Sequence, residues 1–332
     1  MYTTNTFLSS LINEAKSKQD LLNCLEDEIN KVQESMKDRL IHTLRLNELK
    51  QKWEKSLDYE EVDRERYEDF ERIKYTIKGI EKLPFPLYVL KPDKGNGKTI
   101  LYLHGHDDMG IMGALIKRND KERYHFMLPL TLAKLGYTVV APECMGFGES
   151  YYEFVKGEPA KSGCFMNTTI LSMCGFNIIG VRVLQVIKSM DFVQAEKLPE
   201  DMTLFGVSGG ALTGTMVSVL DTRIKRIALA AYPNSYEDSI LRKEHCIENY
   251  IPGIYQVGNS YQILSLVAPR PLLVLNGKYD RGFPIEGTEK AIAHLKQVYV
   301  RLHAQKNFAG ILFDGKHEIS VPHVISWLEE FI

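Results

Sequence analysis

The apolar positions of the chain follow two regimes. From Leu22 through Leu25, Ile29, Val32 and Met36 they step by three and four residues, and Leu46, Leu49 and Trp53 continue the stripe. That spacing predicts amphipathic helices. No glycine or proline occurs before Gly79, so residues 1–74 are expected to form an N-terminal helical extension. The charge-dense stretch 58–72 reads as a solvated helix or a linker. A stripe of this kind has to be covered, either by the chain's own next domain or by the same stripe on a second subunit, which would make a homodimer through the N-terminal helices.

Beyond Tyr75 the apolar runs shorten and are punctuated by turns. Residues 75–80 and 87–91, separated by Pro84-Phe85-Pro86, read as strands at a sheet edge, where proline is tolerated. The unbroken run 98–104 fits a strand buried on both faces. A helix over 124–135 stops at Gly136 before a strand at 137–141. The alternation continues with a helix at 177–190, a strand running into Ser208, a helix at 211–220 and strands at 225–231 and 271–276. A helix at 286–300, a strand at 310–313 and a helix at 321–331 complete it. Strands and helices in this order imply an α/β domain over 75–332. Its sheet would be mainly parallel, with helices on both faces and ligands at the carboxyl ends of the strands. Segments 143–175 and 232–270 interrupt the alternation and are expected to act as lids.

Composition narrows the class. With 44% hydrophobic and 25% charged residues the chain can build a sizeable core, and a formal net charge of -2 carries no nucleic-acid footprint. No apolar run reaches the roughly eighteen residues of a membrane span. The first twenty residues lack a basic start, a continuous apolar core and a small-residue cleavage site, so the expected compartment is the cytoplasm. Cys24, Cys144, Cys164, Cys174 and Cys246 contain no C-x-x-C pair, which favours reduced, mostly buried thiols. Of these, Cys144 lies in a loop that could approach a site.

The candidate chemistry gathers where strands end. Residues 202–210, MTLFGVSGG, are an apolar run that breaks at Gly206-Val207-Ser208-Gly209-Gly210. G-x-S-x-G is the pattern of a sharp strand-to-helix turn that lifts a serine hydroxyl to the sheet rim, with small residues two before and two after. Three such fixed positions match by chance in roughly one chain of this length in ten, so the partners decide. His104-Gly105-His106-Asp107-Asp108 follows one strand, Asp280 follows the strand ending at Asn276, and His317 follows the strand ending at Phe313. Serine, aspartate, histidine is the chain order of one of the three familiar triad arrangements.

From about Tyr75 onward the chain resembles an α/β-hydrolase, in the dienelactone-hydrolase, acetyl xylan esterase and prolyl-oligopeptidase-like branch. The resemblance is carried by the GVSGG elbow followed by Leu220-Asp221-Thr222-Arg223-Ile224, by HGH at 104–106, by GFGES at 146–150 and by HCIENYIPG at 245–253. Dienelactone hydrolases proper use a cysteine where this chain has Ser208, so the resemblance favours an ester-cleaving relative. It implies Ser208 as nucleophile, His317 as base and Asp280 as the acid that orients it. An oxyanion hole would be formed by the amide of Gly209 and an amide of the loop after His104, with His106 first and Gly105 next.

The rival readings are bland. Ser208 could sit in a tight turn without chemistry, Asp280 could cap a loop while Glu237 or Asp238 served as acid, and His323 is a second candidate base. His42, His125, His294 and His303 fall in helical patterns and read as surface or packing residues. HGHDD superficially resembles a metal cluster, but no metal or cofactor is expected. The expected partner is a small-molecule ester, an acetyl ester among them, held by aromatics of the lids: Tyr151, Tyr152, Phe154, Phe165, Tyr232, Tyr236, Tyr250 and Tyr255. A peptidase or thioesterase of the same fold and a non-hydrolytic ligand-binding protein are the alternatives.

Overall fold

The computed structural model describes residues 3–16, 20–107, 109–116, 125–150 and 163–331. Nine strands form one sheet: β1 (Tyr59–Arg66), β2 (Phe70–Ile77), β3 (Phe85–Pro92), β4 (Lys98–Leu103), β5 (Thr138–Pro142), β6 (Asp201–Val207), β7 (Ile224–Ala230), β8 (Leu272–Gly277) and β9 (Phe308–Phe313). Their order is β1-β2-β3-β5-β4-β6-β7-β8-β9. The pairs β1–β2, β2–β3 and β3–β5 are antiparallel, and every pair from β5 to β9 is parallel. The α/β expectation therefore holds, with an antiparallel flank on one side. Chain order along the sheet reverses around β4 and β6, where an open α/β sheet leaves a crevice at its carboxyl edge.

Alternate residues of the central strands feed two cores. Leu101, Leu103, Leu204, Leu229 and Val274 face the helices Ile178–Ala195, Gly209–Leu220 and Ile285–Arg301. Ile100, Tyr102, Phe205, Ala228 and Leu273 face Leu128–Lys134 and Val321–Glu330. This period-two division is what a strand covered on both sides requires. Among the described residues no single helix is long and apolar enough to cross a membrane.

The N-terminal segment differs from its sequence reading in three respects. Helices do form at Thr4–Ala15, Ile29–Thr43 and Leu46–Trp53, but Leu22 and Leu25 lie in a turned segment before the second of them. There Asp20 accepts the Leu22 amide at 3.0 Å and Arg301 donates to the Leu22 carbonyl at 2.8 Å. The stretch 58–72 is neither helix nor linker: it contains β1 and the start of β2. Strand β1 is charged and exposed along nearly its whole length, so it has no apolar alternation to read. Backbone pairing to β2 holds it, together with ion pairs of Arg64 to Glu61 and Glu71 and of Arg72 to Glu65. Charges on an outermost strand discourage pairing with another molecule's sheet. Finally, a boundary at residue 75 falls inside β2, so the sheet itself begins before it.

Most of the predicted stripe is covered from within, while Leu25 stays exposed. Ile29, Met36, Leu40, Leu44, Leu46 and Leu49 are buried in the same core as the sheet, and Gly180 lets the Leu44 carbonyl approach so closely that a Cβ there would lie 2.3 Å from it. Arg39 donates to the Gln256 carbonyl at 2.8 Å, and Gln262 to Asp20 at 2.7 Å.

Leu49→Ala should cost about 2–5 kcal/mol, as expected for a truncation at a fully enclosed leucine, read as a lowered urea midpoint with unchanged slope. Starting the chain at Tyr75 should yield insoluble protein or protein without a cooperative melt, because that cut removes β1, most of β2's pairing and the cover of the core. A soluble, cooperatively folding truncation would show that the N-terminal segment is dispensable.

Candidate active site

The elbow is closely packed. Ser208 stands between β6 and the helix Gly209–Leu220 with φ 53 and ψ -120. A non-glycine residue at positive φ is uncommon and is often found strained at functional sites. The surrounding glycines permit the turn. A Cβ at Gly206 would lie 2.7 Å from the Gly210 carbonyl oxygen, and one at Gly210 would lie 2.1 Å from the Leu103 carbonyl oxygen. The helix is therefore pressed against the end of β4, and Ser208 donates its amide to the Ala230 carbonyl at 2.9 Å.

The structure brings the three sequence-selected side chains together. His317, on the loop after β9, places Nε2 2.9 Å from Ser208 Oγ and Nδ1 2.8 Å from Asp280 Oδ2. Asp280, in the turn after β8, has a fully enclosed side chain. Its other oxygen accepts the amides of Gly282 at 2.7 Å and Phe283 at 3.0 Å. Phe283 stacks on the His317 ring with centroids 5.9 Å apart. The carboxylate is thus fixed by two amides, and it fixes the imidazole in turn. That network assigns Nδ1–H as the donor to Asp280 and leaves Nε2 as an acceptor for the serine hydroxyl.

The competing candidates lie elsewhere in the structure. Glu237 pairs with Lys16 at 3.0 Å and accepts from Asn259 at 2.6 Å; Asp238 pairs with Lys290 at 2.7 Å. His323 hydrogen-bonds Ser320 at 2.6 Å. His125 lies buried against the Tyr102 hydroxyl at 2.7 Å. His104 is enclosed, with Nδ1 2.8 Å from the Gly105 carbonyl and Nε2 3.0 Å from Glu143, where it braces the loop rather than lining the cavity. Asp108, Tyr151, Tyr152 and Phe154 lie outside the described residues.

Ser208, Gly209, His317 and His106 open onto one cavity of 810 Å³, which is also lined by Phe165, Lys243, Tyr250 and Phe283. Both segments that interrupt the strand–helix alternation thus contribute, through Phe165 and through residues 243–250. Of the other predicted aromatics, Tyr232 and Tyr236 are buried in the core and Tyr255 packs against it.

The sequence reading missed a buried charge cluster at the wall of this cavity. Glu248, in the short turn Ile247–Asn249, lies 3.1 Å from the Arg182 guanidinium and 3.2 Å from His106 Nε2, and accepts from the Cys164 thiol. Arg182 also reaches the Met145 carbonyl at 2.9 Å and covers the Phe147 ring at 4.8 Å. Burial alone would raise the Glu248 pKa, but Arg182 and His106 hold the carboxyl well below the usual carboxylate range. His106, Cys164 and Glu248 are donor types that bind metals. Here Arg182 already supplies the cation facing the carboxylate, so the set is an ion-pair cluster. A single arginine inside the run IIGVRVLQVI (178–187) was its one visible signal.

Known proteins match this arrangement at the level of fold. No family model matches the chain. The Bacillus subtilis (strain 168) protein named "Putative hydrolase YtaP" is 28% identical over 235 residues, which is 67% of this chain and 74% of that protein. A solved structure described as a putative acetyl xylan esterase from Bacteroides fragilis NCTC 9343 superposes with a TM-score of 0.81 at 14% identity, covering 100% of this chain and 96% of that one. A methylesterase structure gives a TM-score of 0.69 at 16% identity, over 90% of this chain and 62% of that chain. With the sheet order, the elbow and these neighbours together, the chain has the α/β-hydrolase fold.

Proposed function

We propose that the protein is a serine hydrolase that cleaves a carboxylic ester through an acyl-enzyme on Ser208. The observation that carries this reading is the unbroken line Ser208 Oγ, His317 Nε2, His317 Nδ1, Asp280 Oδ2, with links of 2.9 Å and 2.8 Å, at a strained elbow facing a cavity. A serine hydroxyl is a weak nucleophile until a base takes its proton. As Oγ attacks the carbonyl carbon, its proton moves to His317 Nε2, and Asp280 stabilises the resulting imidazolium. His317 then returns that proton to the departing alkoxide, leaving an ester between Oγ and the acyl group. A water deprotonated by the same nitrogen attacks this ester and releases the acid.

Negative charge on the tetrahedral oxygen falls at the N-terminus of the helix Gly209–Leu220. There the amide of Gly209 is the first donor, and the loop carrying His106 faces it. The cavity size suits a small or medium substrate. Its mixed wall of Lys243, Glu244, Asn249, Phe165 and Phe283 suits an alcohol part rich in hydroxyls, such as a sugar bearing an acetyl ester. The hydrolase and esterase names of the neighbours point the same way. All five cysteines are free thiols, which fits the cytoplasmic setting that belongs to this proposal.

A fluorophosphonate probe should label Ser208 stoichiometrically, and Ser208→Ala should abolish labelling. A folded protein that refuses the probe would favour the ligand-binding alternative. On p-nitrophenyl acetate, His317→Ala should lower kcat by about 10³-fold or more with the melting temperature nearly unchanged. Near-normal turnover would remove His317 as base. A panel of acetylated sugars, longer p-nitrophenyl esters, a thioester and a peptide should show the highest kcat/KM on the acetyl esters. A preference for the thioester or the peptide would move the assignment to those classes.

A further inference from the structure

The charge cluster beside the elbow has no part in the serine, histidine and aspartate chemistry, yet it lies against Gly209 and opens onto the same cavity. The ring of His106 lies over Gly209: its Nδ1 is 3.3 Å from the position a Cβ would take there, while Glu248 Oε1 lies 2.6 Å from that position. Nε2 is turned the other way, 3.2 Å from Glu248 Oε2. Phe147 packs edge-on against the ring with centroids 4.8 Å apart, and the side chain retains 30% of its exposure, toward the cavity. Behind Glu248, Arg182 is 1% exposed. Arg182 balances the buried Glu248 carboxylate from one side, and His106 lies against the same carboxylate on the side of the cavity.

Building on the reading of Ser208 as nucleophile, the geometry points to the His106 side chain as an imidazolium that donates to the oxyanion formed there, held in place by Glu248 and Arg182. The sequence reading placed His106 in this hole as a backbone donor; the structure adds its side chain and the two positioning residues behind it. No proton is transferred by His106, which donates a hydrogen bond and a positive charge that grow in value as the carbonyl oxygen becomes negative. Glu248 does for this imidazole what Asp280 does for His317, but it fixes the charged form. The Gly209 position must stay free of a side chain because the carboxylate and the ring fill that volume.

The charge state follows from the surroundings. Burial alone would push the His106 pKa down, but the Glu248 charge, helped by the nearby Cys164 and Cys246 thiols, carries it up to about 12. The other ionisable groups lining the same cavity are Lys243, Glu244, His245 and His317, with Asp280 behind His317. A raised pKa means that the charge is present below that value and lost only as pH rises through it. His106 therefore stays cationic across the neutral and mildly alkaline range. Without Glu248, burial and the Arg182 cation behind it would both favour the neutral ring.

The test uses the full chain, with p-nitrophenyl acetate as substrate and fluorophosphonate labelling as the control for Ser208. His106→Gln keeps a neutral donor and should lower kcat by about 100-fold, the scale of losing one oxyanion donor. KM should change less than about twofold, because the contact is made only in the transition state. Glu248→Gln should lower kcat to a similar degree, and the double variant should be no slower than His106→Gln alone. The His106 ring nitrogens, followed by NMR, should remain protonated to pH 10 in the wild type, and the ring should be neutral at pH 7 in Glu248→Gln. If Glu248→Gln does not fold, His106→Gln and the wild-type titration decide alone. A labelled Ser208 with His106→Gln retaining kcat within threefold, or a wild-type His106 that is neutral at pH 8, overturns the inference while leaving the hydrolase reading intact. An unlabelled wild-type Ser208 overturns both.

Discussion

The close approach of the helix Gly209–Leu220 to the end of β4 governs the geometry of the site. At Gly210 the separation is so small that a Cβ would stand 2.1 Å from the Leu103 carbonyl oxygen, and the chain can turn from β6 into that helix only by placing Ser208 at positive φ. The strain is distributed over a parallel sheet with cores on both faces, which resists relaxation. Everything around the cavity is then referred to one point. The turn after β8 delivers Asp280 and the loop after β9 delivers His317, each to within a hydrogen bond or two of the serine, and the loop after β4 brings His106 to the same cavity. Strand ends can do this because their positions are fixed by the ladder, whereas side chains projecting from surface loops would have to be ordered individually.

Two imidazoles flank the elbow, and the structure treats them differently. His317 meets a carboxylate that is already committed to the Gly282 and Phe283 amides. His106 meets a carboxylate anchored by a buried arginine. Neighbouring histidines with separate acidic partners can divide labour, one cycling its proton while the other keeps it. The first is a proposed base and the second a proposed fixed charge, and the difference lies in how each carboxylate is itself satisfied.

What was legible in the sequence follows from what leaves a periodic or positional trace. Residues 98–104 and 202–210 are continuous apolar runs ended by glycine and polar residues, so the strand ends, and with them Ser208, Asp280 and His317, could be found by looking just past each run. β1 escaped because both of its faces meet solvent: YEEVDRER has no alternation, and only its backbone pairing and its ion pairs to β2 make it a strand. Glu248 escaped because it sits in a short irregular turn, where neither a helical nor a strand period applies. Arg182 lay in plain view, since a guanidinium within an otherwise apolar helix has to find a buried anion. The sequence did not say which one, because its partner is 66 residues away along the chain.

The burial of the N-terminal stripe also has a temporal side. Leu22 and Asp20 are held by Arg301 and Gln262, at sequence separations of 279 and 242 residues, and Leu44 packs against Gly180. During synthesis the first helices therefore emerge long before the surfaces that cover them. At typical elongation speeds the wait is on the order of tens of seconds. Over that interval Met36, Leu40 and Leu49 remain an uncovered apolar face on a growing chain, which is the kind of surface that holding chaperones recognise. A core covered on one face by residues 29–49 is thus completed only after the segments that meet them, out to Arg301, have been made.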